Sequence, residues 1–207
     1  MDAAADDVLE FWFGDGRRDI DAIGDRKKLW WGGGEATDRE IESRFADTHA
    51  AACAGDLESW KDTAEERLAL IIVCDQFSRN LGRGTPSAFA NDQRAQDLVL
   101  EGRALGFDRR LAPVERPFFY MPLCHAEDLA MQELAVQVFE AMHQRDPDPR
   151  LAYAGFATSA KQHRDIVARF GRFPHRNEVL GREATADELK YLADGAPSFG
   201  QKASAKG

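Results

Sequence analysis

The segment Arg169–Asn177, with the sequence RFGRFPHRN, concentrates side chains that could bind an anion. Its polar residues are Arg169, Arg172, His175, Arg176 and Asn177. Guanidinium groups at this density suit a carboxylate or a phosphate, because each presents a planar fork of N–H donors. The alternative is that these arginines bind helix C-terminal carbonyls and acidic side chains of the same protein. The cluster as a whole favours a ligand, whereas any single arginine favours the structural role.

A second polar segment, Asp75–Asn80 with the sequence DQFSRN, follows a strongly apolar stretch. On a helix, Asp75 and Arg79 lie one turn apart, as do Gln76 and Asn80, so two polar pairs lie side by side. An intrahelical ion pair and a helix stop are the alternative, and such surface pairs contribute little. Because polar groups at the tip of a core helix lie near other helices, we predict that this segment and Arg169–Asn177 contribute to one site.

Two histidines extend the candidate site. His125 and Asp128 lie three residues apart on one predicted helical face, and a His–Asp pair can orient an imidazole for proton transfer or metal binding. The spacing is not specific, since Asp128 also suits a helix N-terminus and a single histidine is often structural. His163 shares a face with Val167 and Phe170, which predicts an inward-facing ring. A metal at these positions lacks diagnostic ligand spacing, and we predict no metal site.

Stronger catalytic motifs do not occur in the chain. It has no glycine-rich phosphate loop, no HExxH, no Cys-x-x-Cys and no Gly-x-Ser-x-Gly elbow. The sequence therefore identifies neither a catalytic residue nor a cofactor. The candidate ligand-binding residues are Asp75, Gln76, Arg79, Asn80, His125, Asp128, His163, Arg169, Arg172, His175, Arg176 and Asn177.

Length and charge narrow the class of protein. With 207 residues, 43% of them hydrophobic, the chain can bury a core of its own, and we predict one helical domain over residues 1–195 with a flexible tail at 196–207. The net charge of −9 argues against binding to nucleic acid phosphates. The acidic N-terminus does not resemble a secretory signal, and the longest apolar stretch after it, Leu68–Cys74, is too short to cross a bilayer. We predict a cytoplasmic protein without a membrane partner.

The three cysteines fit the same compartment. Cys53, Cys74 and Cys124 are odd in number, widely spaced and set among apolar residues or alanines. This context is typical of buried, reduced thiols rather than of disulfides or a zinc site.

The sequence predicts helices along the whole chain. Thr-x-x-Glu patterns at Thr37, Thr63 and Thr185 predict helix starts. Apolar periodicity and Gly or Pro stops then predict helices over 37–54, 64–77, from 86 or 91 to 106, 117–122 with a break at Pro122, 123–144 and 151–170, and a short last helix. Alternating β-branched residues are rare, so we predict an all-α fold.

Four segments together resemble one known family. They are VLEFWFG at 8–14, EERLALIIVCDQFSRNLGRGTPSAFAND at 65–92, PFFYMPLCHAEDLAMQE at 117–133 and HRDIVARFGRFPHRNEVLGRE at 163–183. In this order they resemble the uncharacterised bacterial family called domain of unknown function 924. The family pattern often has a proline where this chain has Ser78, which predicts a helix that continues further here.

The resemblance implies a fold but no activity. It implies a single domain of irregularly stacked helix pairs, similar to the right-handed tetratricopeptide-like superhelix with its concave face. The family's polar positions that match here comprise the candidate residues together with Glu127. The function stays open between a site for a small anionic ligand and a scaffold that binds a peptide or protein in a groove. In a third interpretation the polar residues only fix helix packing.

Overall fold

The computed structural model describes residues 1–24, 26–32, 34–197 and 199. Over these residues the chain forms helices, turns and connecting segments without a β-strand, so the all-α prediction is confirmed. The α-helices are α1 (Ala3–Phe13), α2 (Arg26–Trp31), α3 (Glu35–Ala54), α4 (Ala64–Ile72), α5 (Ser78–Leu81), α6 (Asp92–Ala104), α7 (Arg116–Cys124), α8 (Leu129–Arg145), α9 (Tyr153–Phe170) and α10 (Ala186–Ala193). The tetratricopeptide-like detail of the stacking stays a prediction.

Helix α4 is the central element, as its apolar sequence predicted. Every residue of Leu68–Cys74 is fully buried. Thr63 caps the helix by accepting a hydrogen bond from the backbone N–H of Glu66, which confirms this predicted start. The chain then passes through a π-helical turn, Val73–Phe77, directly into α5. This wider turn carries the first residues of the DQFSRN segment into the interior.

Aromatic side chains fill the core around α4. Trp12 of α1 packs edge-on against Phe77 and Phe118, with both ring centroids at 5.7 Å. Phe118 also contacts Phe13 at 5.4 Å, which joins α1 to α7. Such edge-to-face pairs fix the relative orientation of helices in addition to burying apolar area.

Three predicted helix boundaries are wrong. Helix α8 begins at Leu129 and not at 123, because Asp128 caps its first turn, so His125 precedes this helix and does not share a helical face with Asp128. Helix α3 begins at Glu35, two residues before Thr37, because acidic residues in its first turn favour the helix N-terminus. Pro122 lies inside α7 and does not break it. A proline removes one intrahelical hydrogen bond, and burial of all residues from Pro117 to Cys124 outweighs that loss.

Helices α8 and α9 pack along each other, and α9 ends as predicted at Gly171. Gly171 has a φ of 70°, the left-handed conformation that glycine adopts without a side-chain clash. The chain turns there into the RFGRFPHRN segment. The domain boundary at residue 195 stays a prediction, and residues 198 and 200–207 of the predicted tail lie outside the described residues.

The described residues include no helix that is long and apolar enough to cross a membrane. All three cysteines are free, but Cys53 is exposed, so the prediction that it is buried is wrong. Cys53 lies near the C-terminal end of α3, where the apolar stripe of that helix has turned away from solvent and left Cys53 on the outer face.

Candidate functional site

A cavity of about 520 Å³ lies between α2, the α4–α5 region, α7 and α9. Its wall is aromatic and apolar over most of its area, with polar side chains contributed mainly by the DQFSRN segment and by two histidines. The described lining residues are Trp12, Leu29, Trp30, Trp31, Gln76, Arg79, Asn80, Arg83, Met121, Cys124, His125, Phe139, Ala152, Gly155, Phe156, Ser159, His163 and Phe199. This size and composition are typical of small-molecule sites.

Helix α9 opens space for the cavity. Ala152, Gly155 and Ser159 follow one another at helical spacing along the face that borders it. Small side chains on this face leave room between α9 and the aromatic rings of α2. A side chain added at Gly155 meets no atom within 4 Å of its first carbon, so this position borders open space.

Asp75 is the buried anchor of the polar end. It lies in the π-helical turn with a side chain that is only 1% exposed. One carboxylate oxygen is 2.7 Å from Nδ1 of His125, and the other accepts a hydrogen bond from Gln76 at 2.6 Å. The guanidinium of Arg79 lies 3.5 Å from the first oxygen. Burial opposes ionisation of Asp75, but Arg79 and His125 outweigh it and hold the pKa of Asp75 well below its ordinary value.

His125 lies in the connector just after α7, and several contacts fix that connector. The buried Gln132 amide donates hydrogen bonds to the carbonyls of Cys124 and Ala126, each at 2.7 Å. Arg176 donates to the carbonyl of His125 itself at 3.0 Å. The His125 ring is therefore held at the cavity wall by contacts from two other elements and by Asp75.

The protonation state of His125 follows from its surroundings. Burial lowers the pKa of His125, and the nearby Arg79 lowers it further, against the opposing effect of Asp75. A neutral ring beside an ionised carboxylate carries its proton on Nδ1, where it donates to Asp75. Nε2 is then a lone-pair acceptor, and no side chain among the described residues forms a hydrogen bond with it. This arrangement can accept a proton or a hydrogen bond from a molecule in the cavity.

Behind the cavity wall, Asp92 joins the two predicted segments. Its Oδ1 accepts from Arg79 at 2.9 Å, and its Oδ2 accepts from Arg176 at 3.2 Å. Burial and the neighbouring Arg79 lower the pKa of Arg176 to about 10, so it stays charged at neutral pH. Nη2 of Arg79 and Nε of Arg176 are buried and have no hydrogen-bond partner among the described residues. The network thus holds two arginines and two aspartates in close contact.

His163 of α9 borders the cavity, with its ring centroid 6.2 Å from that of His125. Its Nδ1 lies 2.8 Å from the carbonyl of Ser159, and its ring stacks on Phe199 with centroids 3.8 Å apart. Burial, with a smaller contribution from His125, lowers the pKa of His163 to about 3. His175 is half-buried beside Phe173, and its pKa is lowered to about 4 by burial and by Arg176. Both rings are neutral near pH 7, as an inward-facing histidine requires.

The structure brings together seven of the twelve predicted residues. Five of them line the cavity: Gln76, Arg79, Asn80, His125 and His163. Asp75 lies beneath its surface against His125, and Arg176 lies behind its wall. His175 lies nearby against Phe173 and Phe199.

The remaining four predicted residues have structural contacts outside the cavity lining. Asp128 caps α8 by accepting from the backbone N–H of Met131. Arg172 forms a bidentate pair with Glu188, at 2.7 and 2.8 Å. Asn177 accepts a hydrogen bond from Arg182, and Arg169 lies over the ring of Phe170.

Sequence reasoning missed two groups of site residues. Asp92 is the acid shared by both arginines, and its place at the start of α6 resembles an ordinary helix N-terminal acid. The aromatic wall of Trp30, Trp31 and Phe156 comes from helices far apart in the chain. The small residues at helical spacing on α9 were the available indication of a cavity.

The matching residues extend over almost the whole chain. Residues 8–196 match the family described as bacterial protein of unknown function, DUF924. The chain belongs to this family. A solved structure of a protein of unknown function from Agrobacterium tumefaciens is similar, with a TM-score of 0.77 and 37% identity over 93% of this chain and 98% of that one. No curated protein matches the chain.

Ser78 is the first residue of α5 and follows directly on the π-helical turn. The helix continues from the π-helical turn through Ser78 to Leu81, as the substitution predicted. The buried Ser78 hydroxyl lies 2.8 Å from Nε2 of His49 and accepts from Asn91 at 3.1 Å. It therefore ties α3 and the segment before α6 to the helix that carries Arg79.

Metal-ligating side chains are not grouped at this site in the DUF924 chain. Over the part of the chain that the structure describes, no three His, Cys, Asp or Glu side chains are arranged to hold an ion. The chemistry available at the cavity is hydrogen bonding, charge attraction by arginine and proton acceptance by His125.

Proposed function

We propose that the protein binds a small molecule with an aromatic or apolar body and a carboxylate head in the cavity. The observation that carries this proposal is the composition of the wall: its described residues combine Arg79 and His125 with an aromatic surface and include no carboxylate. The aspartates that pair with Arg79 are not lining residues, so the charged side chains of the described wall are Arg79 and Arg83. A carboxylate is the common small group that matches a guanidinium in charge and geometry.

The apolar part of the cavity indicates the chemical nature of the ligand beyond its carboxylate. Trp30, Trp31 and Phe156 offer ring faces and edges against which a planar or hydrocarbon group can pack. A volume of about 520 Å³ fits a molecule of metabolite size. It is small for an extended peptide, so the scaffold alternative is less well supported by the geometry.

The pair of Asp75 and His125 gives the site its reactive group. In our proposal the neutral His125 ring accepts a hydrogen bond or a proton from the ligand, while Asp75 holds the ring and stabilises its charged form. An anion bound beside His125 favours the protonated ring, so binding is coupled to proton uptake. We further propose that the protein acts in the cytoplasm, where its three free cysteines stay reduced.

Thermal-shift screening tests the ligand class directly. The panel pairs aromatic and branched aliphatic carboxylates with the corresponding neutral amides. A carboxylate at one hundred times its Kd stabilises the protein by about 2.7 kcal/mol, which raises Tm by several degrees, and its amide does not. No stabilisation by any carboxylate, or equal stabilisation by the amides, would contradict the proposal.

A cavity-filling variant locates the binding. Gly155→Leu places a side chain into the open space beside the cavity and replaces a helical glycine. We expect it to weaken carboxylate binding at least about tenfold, equivalent to about 1.4 kcal/mol, without loss of Tm. Ala154→Leu is the matched control, because Ala154 is exposed on the same helix and does not line the cavity. Unchanged affinity in Gly155→Leu would place the binding elsewhere.

His125→Gln tests the proton-accepting role. The amide can still donate to Asp75 but cannot take up a proton. Affinity of the original protein for the carboxylate should rise as the pH falls from about 7.5 to 5.5, because the bound anion raises the pKa of His125. The variant should lose most of this pH dependence in calorimetric titrations. An identical pH dependence in the variant would assign the proton to another group.

A further inference from the structure

A second cleft of about 450 Å³ lies on a different part of the surface and shares no described lining residue with the cavity. It forms where the C-terminal end of α6, the 3₁₀ turn at 107–109, α7 and α8 meet. We call it the arginine cleft, and its lining residues are Arg103, Asp108, Arg109, Arg116, Tyr120, Val138, Ala141, Met142 and Arg145.

The charge of the arginine cleft opposes that of the whole chain. Four arginines face one aspartate there, which leaves a local excess of three positive charges in a protein with a net charge of −9. None of the four guanidiniums forms an ion pair with a carboxylate in the described part of the chain. Like charges held together in this way repel one another, and a bound anion relieves that repulsion.

Two donors in the cleft have a fixed position. Arg116 is held by a hydrogen bond from its Nε to the carbonyl of Leu111 at 3.2 Å, which leaves its two terminal nitrogens for another acceptor. Tyr120 is only 3% exposed. Burial raises the pKa of Tyr120 well above its ordinary value, and the charge and hydrogen-bonding contact of Asp108 act in the same direction. The phenol therefore stays protonated, and it can donate to a bound anion in exchange for its contact with Asp108. Fixed donors lose less entropy on binding than mobile ones.

We propose that the arginine cleft binds the diphosphate group of a small molecule. The excess of three positive charges suits a small polyanion with two linked phosphoryl groups better than a singly charged anion. Guanidinium forks match phosphate oxygens in a bidentate manner. A cleft of this volume accommodates a small molecule, whereas the acidic remainder of the chain disfavours a long polyanion. This site is independent of the carboxylate site proposed above.

Calorimetric titration with inorganic pyrophosphate tests the proposal. At about 0.1 M salt, where exposed charges are screened beyond roughly 10 Å, we expect saturable binding to one site and at least about tenfold weaker binding of orthophosphate. No saturable binding of pyrophosphate, or equal binding of orthophosphate, would overturn the diphosphate assignment.

Two double variants distinguish binding of pyrophosphate in the arginine cleft from its attraction to positive charge elsewhere on the protein. Arg103→Gln with Arg145→Gln removes two exposed arginines of the cleft, and we expect at least about a tenfold loss of pyrophosphate affinity. Arg18→Gln with Arg39→Gln changes the net charge equally at exposed positions outside the cleft, with side chains 68% and 71% exposed. This control should change the affinity less than about twofold. Equal losses in both double variants would show diffuse attraction and refute the site.

Tyr120→Phe and an ester probe complete the experiment. Tyr120→Phe keeps the buried ring and removes the hydroxyl, so we expect weaker pyrophosphate binding with an unchanged Tm; unchanged affinity would remove Tyr120 from the site.

Butyl diphosphate then separates two sources of the same group. Tighter binding than pyrophosphate identifies a diphosphate ester, because the alkyl chain can contact Val138 and Met142. Equal or weaker binding identifies free pyrophosphate.

Discussion

The charged groups behind the cavity and those of the arginine cleft follow opposite rules. At the cavity wall and behind it, Arg79 and Arg176 share Asp92, and Arg79 also lies beside Asp75, with all four side chains at most 13% exposed. In the arginine cleft, four arginines face a single aspartate without an ion pair among the described residues. Removing a charge from water costs several kcal/mol unless a partner offsets the cost. Burial therefore demands pairing, and a cleft open to water does not.

A high density of arginines in a sequence therefore does not by itself indicate a ligand-binding site. The arginines of RFGRFPHRN and its flanks are mostly engaged inside the protein: Arg172 with Glu188, Arg176 with Asp92, and Arg182 with Glu127. They fix the packing of the segment and hold His125 in place. The four arginines of the arginine cleft, which have no carboxylate ion pair among the described residues, lie instead around α6, α7 and α8, where the sequence shows no compact motif.

Asp92→Asn is the most severe test of the pairing rule. It leaves Arg79 and Arg176 buried without their shared negative charge, so we expect a loss of about 3–5 kcal/mol in the free energy of unfolding. Urea denaturation measures the loss. Asp97→Asn, an exposed position on the same helix that only accepts from Gln93, should change stability by less than about 0.5 kcal/mol. A cost for Asp92→Asn similar to that of the control would show that the buried arginines do not depend on this carboxylate.

Measuring the free energy of unfolding at several pH values tests the effect of the buried histidine His163 on stability. The pKa of His163 is lowered to about 3 in the folded protein, against about 6.5 in the unfolded chain. The unfolded chain thus binds more protons in this range, and stability is complete above about pH 6.5 and falls as the pH drops toward 3. His163 alone should cost about 2 kcal/mol between pH 7.5 and 5.

His163→Phe should remove this part of the pH dependence in denaturant unfolding. His143→Gln is the control, because His143 lies near the end of α8 and does not line the cavity. It should leave the pH dependence unchanged. If His163→Phe keeps the full acid-induced loss, the loss belongs to other groups such as His125 and His175.

Ser78→Ala probes the polar link between α5, α3 and the segment before α6. It removes the hydroxyl that contacts His49 and Asn91 in the interior, so we expect a loss of about 1–2 kcal/mol. Ser87→Ala removes an exposed hydroxyl that contacts Thr85 and should cost less than about 0.5 kcal/mol. Equal costs in urea unfolding would mean that Ser78 is not a structural link.

Local rules in the sequence were sufficient for the helices and for part of the site. Thr63 and Thr185 cap their helices as the Thr-x-x-Glu pattern predicts, and Gly171 ends α9. Thr37 and Pro122 were misinterpreted because an acidic first turn and burial outweigh a local pattern. The polar positions Asp75, Arg79, His125 and His163 were found because polar residues on apolar helices stand out.

The remainder of the site depends on contacts between distant segments. Asp92 matters because both of its oxygens accept from arginines that are 13 and 84 residues away. The arginine cleft arises only when α6, α7 and α8 bring Arg103, Arg116 and Arg145 to one cleft. No local sequence pattern predicts that these side chains come together, because each one alone resembles an ordinary charged residue at the surface or at a helix end.

The smallest expected effect is on the stability of the arginine cleft itself. Arg103→Gln with Arg145→Gln removes two like charges that have no ion-pair partner among the described residues, so folding should lose nothing and could gain up to about 0.5 kcal/mol from reduced repulsion. Urea unfolding at low and high salt measures it, and added salt should shrink the gain by screening. A loss above about 1 kcal/mol would mean that these arginines are part of the packing, as Arg176 is, and that the difference between the two regions is smaller than their ion pairs indicate.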